Sequence, residues 1–431
     1  MIKQVVSTSD VFGVSASVNS FSYVDRANLD KKLKRLLTRE GHIAIKGPSK
    51  CGKSWLRQRC LDNPIIVQCR LDMTPETIYR QALNSIGVLF DIQRSTATTF
   101  SGNASANGKV KMPFVAEAEL GFDMSGSRES SVGTDIDYSC SISNLEFVAN
   151  SINDSGRRLV IEDFHYLSPK TREKLAYDLK TLWDYKCFII VIGVWTQSNL
   201  LTYLNPDLTA RIEEITISWS ELELRQVIEK GSSALNIEID SSIQDDIIKD
   251  SFGNVGILQK LLLLLVEDEA DISKSCTVQM SIVNPNLYFQ AAKAYAGQLD
   301  GLYQNFAKSL SSGIRQRKQS TGIYALAMQS IVEASDEQLI NGYSRADIYE
   351  KTHSQENRIQ KGNLKIVLRK LVELQELSQH SLVISYDESN DAVFAIDLQL
   401  LFYRKHHSMK WPWEEMAEEA RQQSLFDTEE D

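Results

Sequence analysis

Residues 47–54 read Gly47-Pro48-Ser49-Lys50-Cys51-Gly52-Lys53-Ser54, the spacing G-x-x-x-x-G-K-S. Small residues at both ends let consecutive backbone N–H groups curl around phosphate oxygens, while the helix that follows points its positive end at them. In such a loop Lys53 would reach the β and γ phosphates of a nucleotide and Ser54 would ligate Mg2+. A second stretch has matching chemistry: the apolar run Leu159-Val160-Ile161 ends in Glu162-Asp163. Paired acids beside a phosphate loop supply two roles, one carboxylate holding the metal shell and the other polarising the attacking water. The spacing favours Glu162 for the metal and Asp163 for the water, and leaves the reverse division open. The usual order of types is Asp then Glu, so the exchange is compatible with slow hydrolysis. Downstream, the apolar run 187–193 ends in Val194-Trp195-Thr196-Gln197. Thr196 is the candidate polar residue for sensing the γ-phosphate.

These groups need a scaffold that brings strand ends together. The pattern predicts a strand over 42–46 before the loop and a helix over 55–60 after it. Strands over 65–70, 159–161, 187–193 and 212–217 alternate with helices over 75–89, 143–152 and 169–184. Such alternation implies a parallel sheet covered on both faces. Residues 41–218 are therefore expected to form an α/β nucleotide-binding core, preceded by an N-terminal linker and helix over 1–40. From 219 to 275 leucines and isoleucines recur at helical spacing, predicting a helical lid. Residues 276–318 read as a helical linker ending in the basic run 315–318. Residues 319–410 read as three helices and a strand pair around 387–391, a winged-helix pattern. Lys361, Lys365, Arg369 and Lys370 fall on or beside its third helix. That helix suits either a DNA-facing role or protein contact. The segment 93–139 fits no standard element, and reads either as a surface loop or as a protruding hairpin that contacts neighbours.

Composition sets the boundaries. A chain of 431 residues with 42% hydrophobic and 24% charged residues has material for two or three globular domains. No apolar run approaches the ~20 residues of a membrane span, and the N-terminus lacks the order of a secretory signal, so a cytoplasmic protein without membrane contact is expected. Six cysteines show neither a C-x-x-C pair nor zinc-ligand spacing, which points to free thiols. The net charge of −10 is uneven: residues 411–431 carry eight acids and one base, whereas 311–410 carry 13 Lys/Arg against 12 Asp/Glu. The acidity of the tail therefore says nothing against nucleic-acid binding by the neutral domain before it.

The motifs together resemble the AAA+ and STAND group of P-loop ATPases, in a layout similar to the initiator and origin-recognition type and to ATPases of bacterial conflict systems. The resemblance spans roughly residues 20–265. It is carried by Tyr23-Val24-Asp25-Arg26, the loop 47–54, Val160–Leu167 with its acids, Ile192–Trp195, Asp207–Arg211, Trp219 and Glu221-Leu222. It implies ATP and Mg2+ as ligands, Arg26 packing at the adenine, and Arg211 completing the site of a neighbouring subunit in a homo-oligomer. Relatives often carry an arginine or proline in the lid where this chain reads Gly253-Asn254-Val255-Gly256. Near the C-terminus, Gln422, Leu425 and Phe426 resemble a short peptide that docks on the bacterial sliding clamp. The expected function is an ATP-driven switch or motor associated with double-stranded DNA, in antiviral defence or mobile-element biology. The alternative is a nucleotide-dependent scaffold that recruits an effector protein from a neighbouring gene, with the winged helix binding protein.

Overall fold

The computed structural model describes residues 5–88, 141–312, 321–377 and 382–414. The segment 93–139, the basic run 315–318 and the stretch 422–426 lie outside them. The chain opens with a short helix α1 (Thr8–Phe12), then α2 (Leu29–Leu37), strand β1 (His42–Lys46), α3 (Lys53–Cys60), β2 (Ile65–Gln68) and α4 (Pro75–Ser85). It continues through α5 (Leu145–Asp154), β3 (Leu159–Glu162), α6 (Pro169–Asp184), β4 (Ile190–Gly193), α7 (Leu200–Leu204) and β5 (Ile212–Thr216). The five strands form one parallel sheet in the order β2-β3-β4-β1-β5.

Strand side chains alternate between two cores, as the period of two requires. Ala44, Ile161 and Val191 pack on one face with α4 to α7, and Ile43, Ile45, Val160 and Ile192 on the other with α2 and α3. Proline at the first helical turn and the Ser168 cap start α6 within the expected range 169–184. The fold expected from the motifs, a P-loop α/β sheet followed by helical regions, is the fold observed.

After the sheet come α8 (Glu221–Leu235), β6 (Ile237–Ile239), α9 (Ser241–Asp250), α10 (Val255–Leu263), β7 (Met280–Ile282) and the long α11 (Pro285–Ser312). A last unit holds α12 (Ile323–Val332), α13 (Asp336–Asn341), β8 (Tyr343–Ser344), α14 (Arg345–Gln355), α15 (Lys361–Leu377), β9 (Ile384–Asp387), β10 (Ala392–Ala395) and α16 (Gln399–His406). Its antiparallel sheet, ordered β8-β10-β9, has one strand more than the pair read from sequence. The lid helices, α11 and this unit share one continuous apolar core that also takes in Val11 and Phe12 of α1. The Phe12 ring lies where a Cβ at Gly231 of α8 would fall, so α1 is seated directly on the lid. Among the described residues no helix is long and apolar enough to cross a membrane.

Candidate nucleotide-binding site

The loop between β1 and α3 turns at Gly52, whose φ of +89° is a conformation that side-chain-bearing residues rarely adopt. The turn brings the start of α3 against the C-terminal ends of β1 and β3. A cavity of about 390 Å³ opens there, within the range of small-ligand sites. Ser49, Lys50, Gly52, Lys53 and Ser54 line it from the loop side, and Glu162 and Asp163 from β3. Lys53 Nζ donates to the Gly47 and Pro48 carbonyls at 3.0 and 2.6 Å. Cys51 is fully buried inside the loop. The donor set suits Mg2+-nucleotide: a cation and a helix N-terminus for phosphate, a hydroxyl and two carboxylates for a hard metal.

The two acids differ in environment. Glu162 is buried and receives a 2.8 Å ion-paired hydrogen bond from Arg57 Nε. Asp163 is half-buried at a left-handed φ of 57°. Burial raises its carboxyl above the usual range, the Glu162 charge adds to this, and Lys53 opposes it. A carboxylate so raised suits proton acceptance from water better than an ordinary aspartate.

The other expected site residues are dispersed. Arg26 is buried beneath the loop, where its guanidinium donates to the Gly52 carbonyl at 2.9 Å and lies 4.7 Å from the Trp219 ring centroid. It braces the loop and does not line the cavity. Thr196 is exposed beyond β4 and faces a second cleft, shared with Tyr386 and Asp387 of the C-terminal unit. Its loop is held by Lys46, which pairs with Glu214 at 3.2 Å and donates to the Gln197 carbonyl at 3.2 Å. The Arg211 carbonyl accepts from His42 N–H at the start of β1, the opposite end of the strand from the loop. Five residues at ~3.3 Å each separate those ends by roughly 16 Å. The Arg211 side chain donates to the Asp207 carbonyl and stacks on Trp183 at 4.8 Å.

Several residues of the site escaped sequence reading. Arg57 carries no motif signal, and its role appears only when α3 and β3 meet. His165 lines the cavity and accepts from Val194 N–H at 3.4 Å. Burial, then the Lys53 and Arg172 charges, hold its imidazole down to about 4, so it is neutral at pH 7. Val14, Ser15 and Ala16 form another wall. Their backbone is fixed by Trp55 Nε1 donating to Ser15 O and Gln58 Nε2 donating to Ala16 O.

Both the lid and the C-terminal unit touch the loop. Asn254 caps α10 by accepting from Gly256 N–H at 2.8 Å, and its Nδ2 donates to the Ser49 carbonyl at 2.8 Å. Lys50 Nζ donates to Gln399 Oε1 at 2.8 Å, and the same oxygen accepts from Tyr295 at 2.7 Å. Gln399 Nε2 in turn donates to buried Asp397, which also accepts from Tyr303. A second junction joins lid to C-terminal unit: buried Asp250 of α9 accepts from Tyr288, Lys405 and His406. On α15, Arg369 is ion-paired with Glu388 and Lys370 with Glu373.

No protein-family model matches the sequence, and a search of curated proteins found no match. Among solved structures, the Aeropyrum pernix Orc1 protein in complex with DNA is similar over 100% of this chain and 99% of its own, at 11% identity and a TM-score of 0.44. The Thermotoga maritima RuvB Holliday junction branch migration motor matches over 92% of this chain and 100% of its own, at 13% identity and 0.37. A STAND protein with a tetratricopeptide repeat sensor from Pyrococcus horikoshii matches over 94% of this chain and 45% of its own, at 12% identity and 0.35. The P-loop architecture rests on the parallel sheet and the loop 47–54.

Proposed function

We propose that the chain is an ATP-binding and ATP-hydrolysing switch of the AAA+/STAND type. The observation that carries this reading is the single cavity in which the loop 47–54 faces Glu162 and Asp163. Lys53 and the N-terminus of α3 bind the phosphates, Ser54 and Glu162 hold Mg2+, and Asp163 with its raised carboxyl polarises the attacking water. Mg2+ supplies charge neutralisation of the phosphates when bound. Lys50, bonded to Gln399, links the loop to the C-terminal unit and offers a direct route by which phosphate occupancy changes that unit's docking. Arg211 lies a strand's length from the site of its own chain, so a role at phosphate requires a homo-oligomer in which it reaches a neighbour's site.

The output proposed for the switch is double-stranded DNA, engaged by α15, in antiviral defence or mobile-element biology. A second reading is favoured by a specific observation: Arg369 and Lys370 are already paired with acids of their own unit, which offsets two of the four basic charges on or beside the helix. In that reading the C-terminal unit recruits an effector protein. Measuring mass, ATP turnover and duplex binding with ATP at low salt separates the two. Duplex binding that rises with ATP and falls on charge reversal at Lys365 supports DNA. Oligomerisation and turnover without duplex binding refute it and leave the effector scaffold.

A further inference from the structure

We propose that Arg57 is a positioning residue that holds Glu162 as a counter-ion, so that nucleotide binds in the absence of divalent metal. The inference rests on the cavity being the nucleotide site. Arg57 stands one helical turn after Lys53 on α3, which puts both cations on the same face toward the phosphate position. Its partner comes from the end of β3, 105 residues away in sequence. The two side chains are 10% and 7% exposed and meet at 2.8 Å, yet both also line the cavity. A buried charge deprived of its partner is strongly destabilising, so Glu162 gives up Arg57 only for another cation.

The charges around the cavity lead to the same place. Lys53 set against Glu162 and Asp163 would leave an excess negative charge facing a polyphosphate, an excess that Mg2+ would have to offset. Arg57 removes that excess, and Lys50 adds a further positive charge on the loop side. The cavity therefore accepts metal-free polyphosphate without a net like-charge penalty. The arrangement also sets a competition, because Arg57 and a metal would share the one Glu162 carboxylate, whose Oε1 already accepts from Arg57. Loading of nucleotide and engagement of Glu162 by metal become separable events, the second drawing charge from the Arg57 pair.

The test is calorimetric titration of the full chain with ATP, in Mg2+ and in EDTA, for the wild type, Arg57→Gln, Arg57→Lys and Glu162→Gln. The wild-type Kd should change less than about threefold between the two buffers, whereas Arg57→Gln should bind about tenfold or more weakly in EDTA than in Mg2+. Arg57→Lys should keep the metal tolerance. Should Arg57→Gln fail to fold by circular dichroism and gel filtration, Glu162→Gln decides: it frees Arg57 toward the phosphates and should bind ATP in EDTA at least as tightly as the wild type. A wild-type Kd that rises tenfold or more in EDTA overturns the inference and leaves the site reading intact, as does Arg57→Gln with the wild-type ratio or Glu162→Gln without metal-free binding. A wild type that binds no ATP in either buffer overturns both.

Discussion

Placing an arginine at lid position 256, within the run 253–256 where the resembled families often carry an arginine or proline, should damage the protein. The backbone of α10 lies directly on the phosphate loop at Gly256: a Cβ there would fall 2.6 Å from Lys50 Cβ and 2.8 Å from the Lys50 carbonyl oxygen. The oxygen belongs to the loop's main chain and cannot rotate away. Gly256→Arg and Gly256→Ala both force the lid off the loop, at about 1–3 kcal/mol for overpacking. Lifting the lid also breaks the hydrogen bond from Asn254 to the Ser49 carbonyl, worth about 1 kcal/mol. If ATP requires the seated lid, a combined loss of about 2 kcal/mol weakens binding roughly 30-fold, and the upper end of the range weakens it further. Calorimetric ATP titration of both variants, with the folded monomer confirmed by gel filtration, reads this directly. Wild-type or tighter ATP affinity in Gly256→Arg would refute the close lid contact, and an unaffected Gly256→Ala would refute the steric reasoning.

Other expectations follow from the same geometry. Asp163→Asn should retain ATP binding and lose turnover, whereas the reverse division between Asp163 and Glu162→Gln would assign the water to Glu162. Because burial raises the Asp163 carboxyl, the acid limb of the pH–rate profile should lie above the ordinary carboxylate range; a limb at or below pH 4 contradicts its role as base. Mixing Arg211→Ala with Lys53→Ala subunits should restore part of the turnover if Arg211 acts on a neighbour, and verified subunit exchange without recovery assigns Arg211 to its Asp207 and Trp183 contacts alone. His42 is a buried neutral strut under β1, accepting from Ile189 N–H through Nδ1 and donating from Nε2 to the Leu179 carbonyl. Burial pushes it down to about 4 from 6.5, so its stabilisation is present above pH 6.5 and lost as the pH falls through 4. The fall, about 3 kcal/mol over that window, should flatten in His42→Gln when unfolding is followed against pH.

The parts of this fold that sequence made legible are those with local causes. β1 and α6 are found where the sequence pattern places them, and the phosphate loop declares itself because its glycines and lysine lie within eight residues. Other features depend on distant partners. Arg57 matters through Glu162, and Lys50 through Gln399 in the last unit. Gly256 matters through its close approach to Lys50 of the loop. The five residues of α1 are too few for a helical period, and they hold their place through the lid's core. β8 is two residues long and exists only because β10 pairs with it. The sequence also drew lid, linker and C-terminal unit as separate runs, whereas buried side chains from all three form one cluster. Thr196 sits at a strand tip, where a γ-phosphate sensor is expected, but the Lys46 contacts hold that loop and Thr196 faces the neighbouring cleft.

The central claim is that nucleotide phosphate is bound between the loop 47–54 and the acids of β3. The most direct measurement is the ATP affinity of the wild type beside that of Lys53→Ala, by titration calorimetry with Mg2+ present. The geometry predicts one ATP per chain for the wild type and no detectable heat for the variant, since Lys53 is the loop cation placed on the β and γ phosphates. Equal ATP affinity in the two proteins would contradict the site.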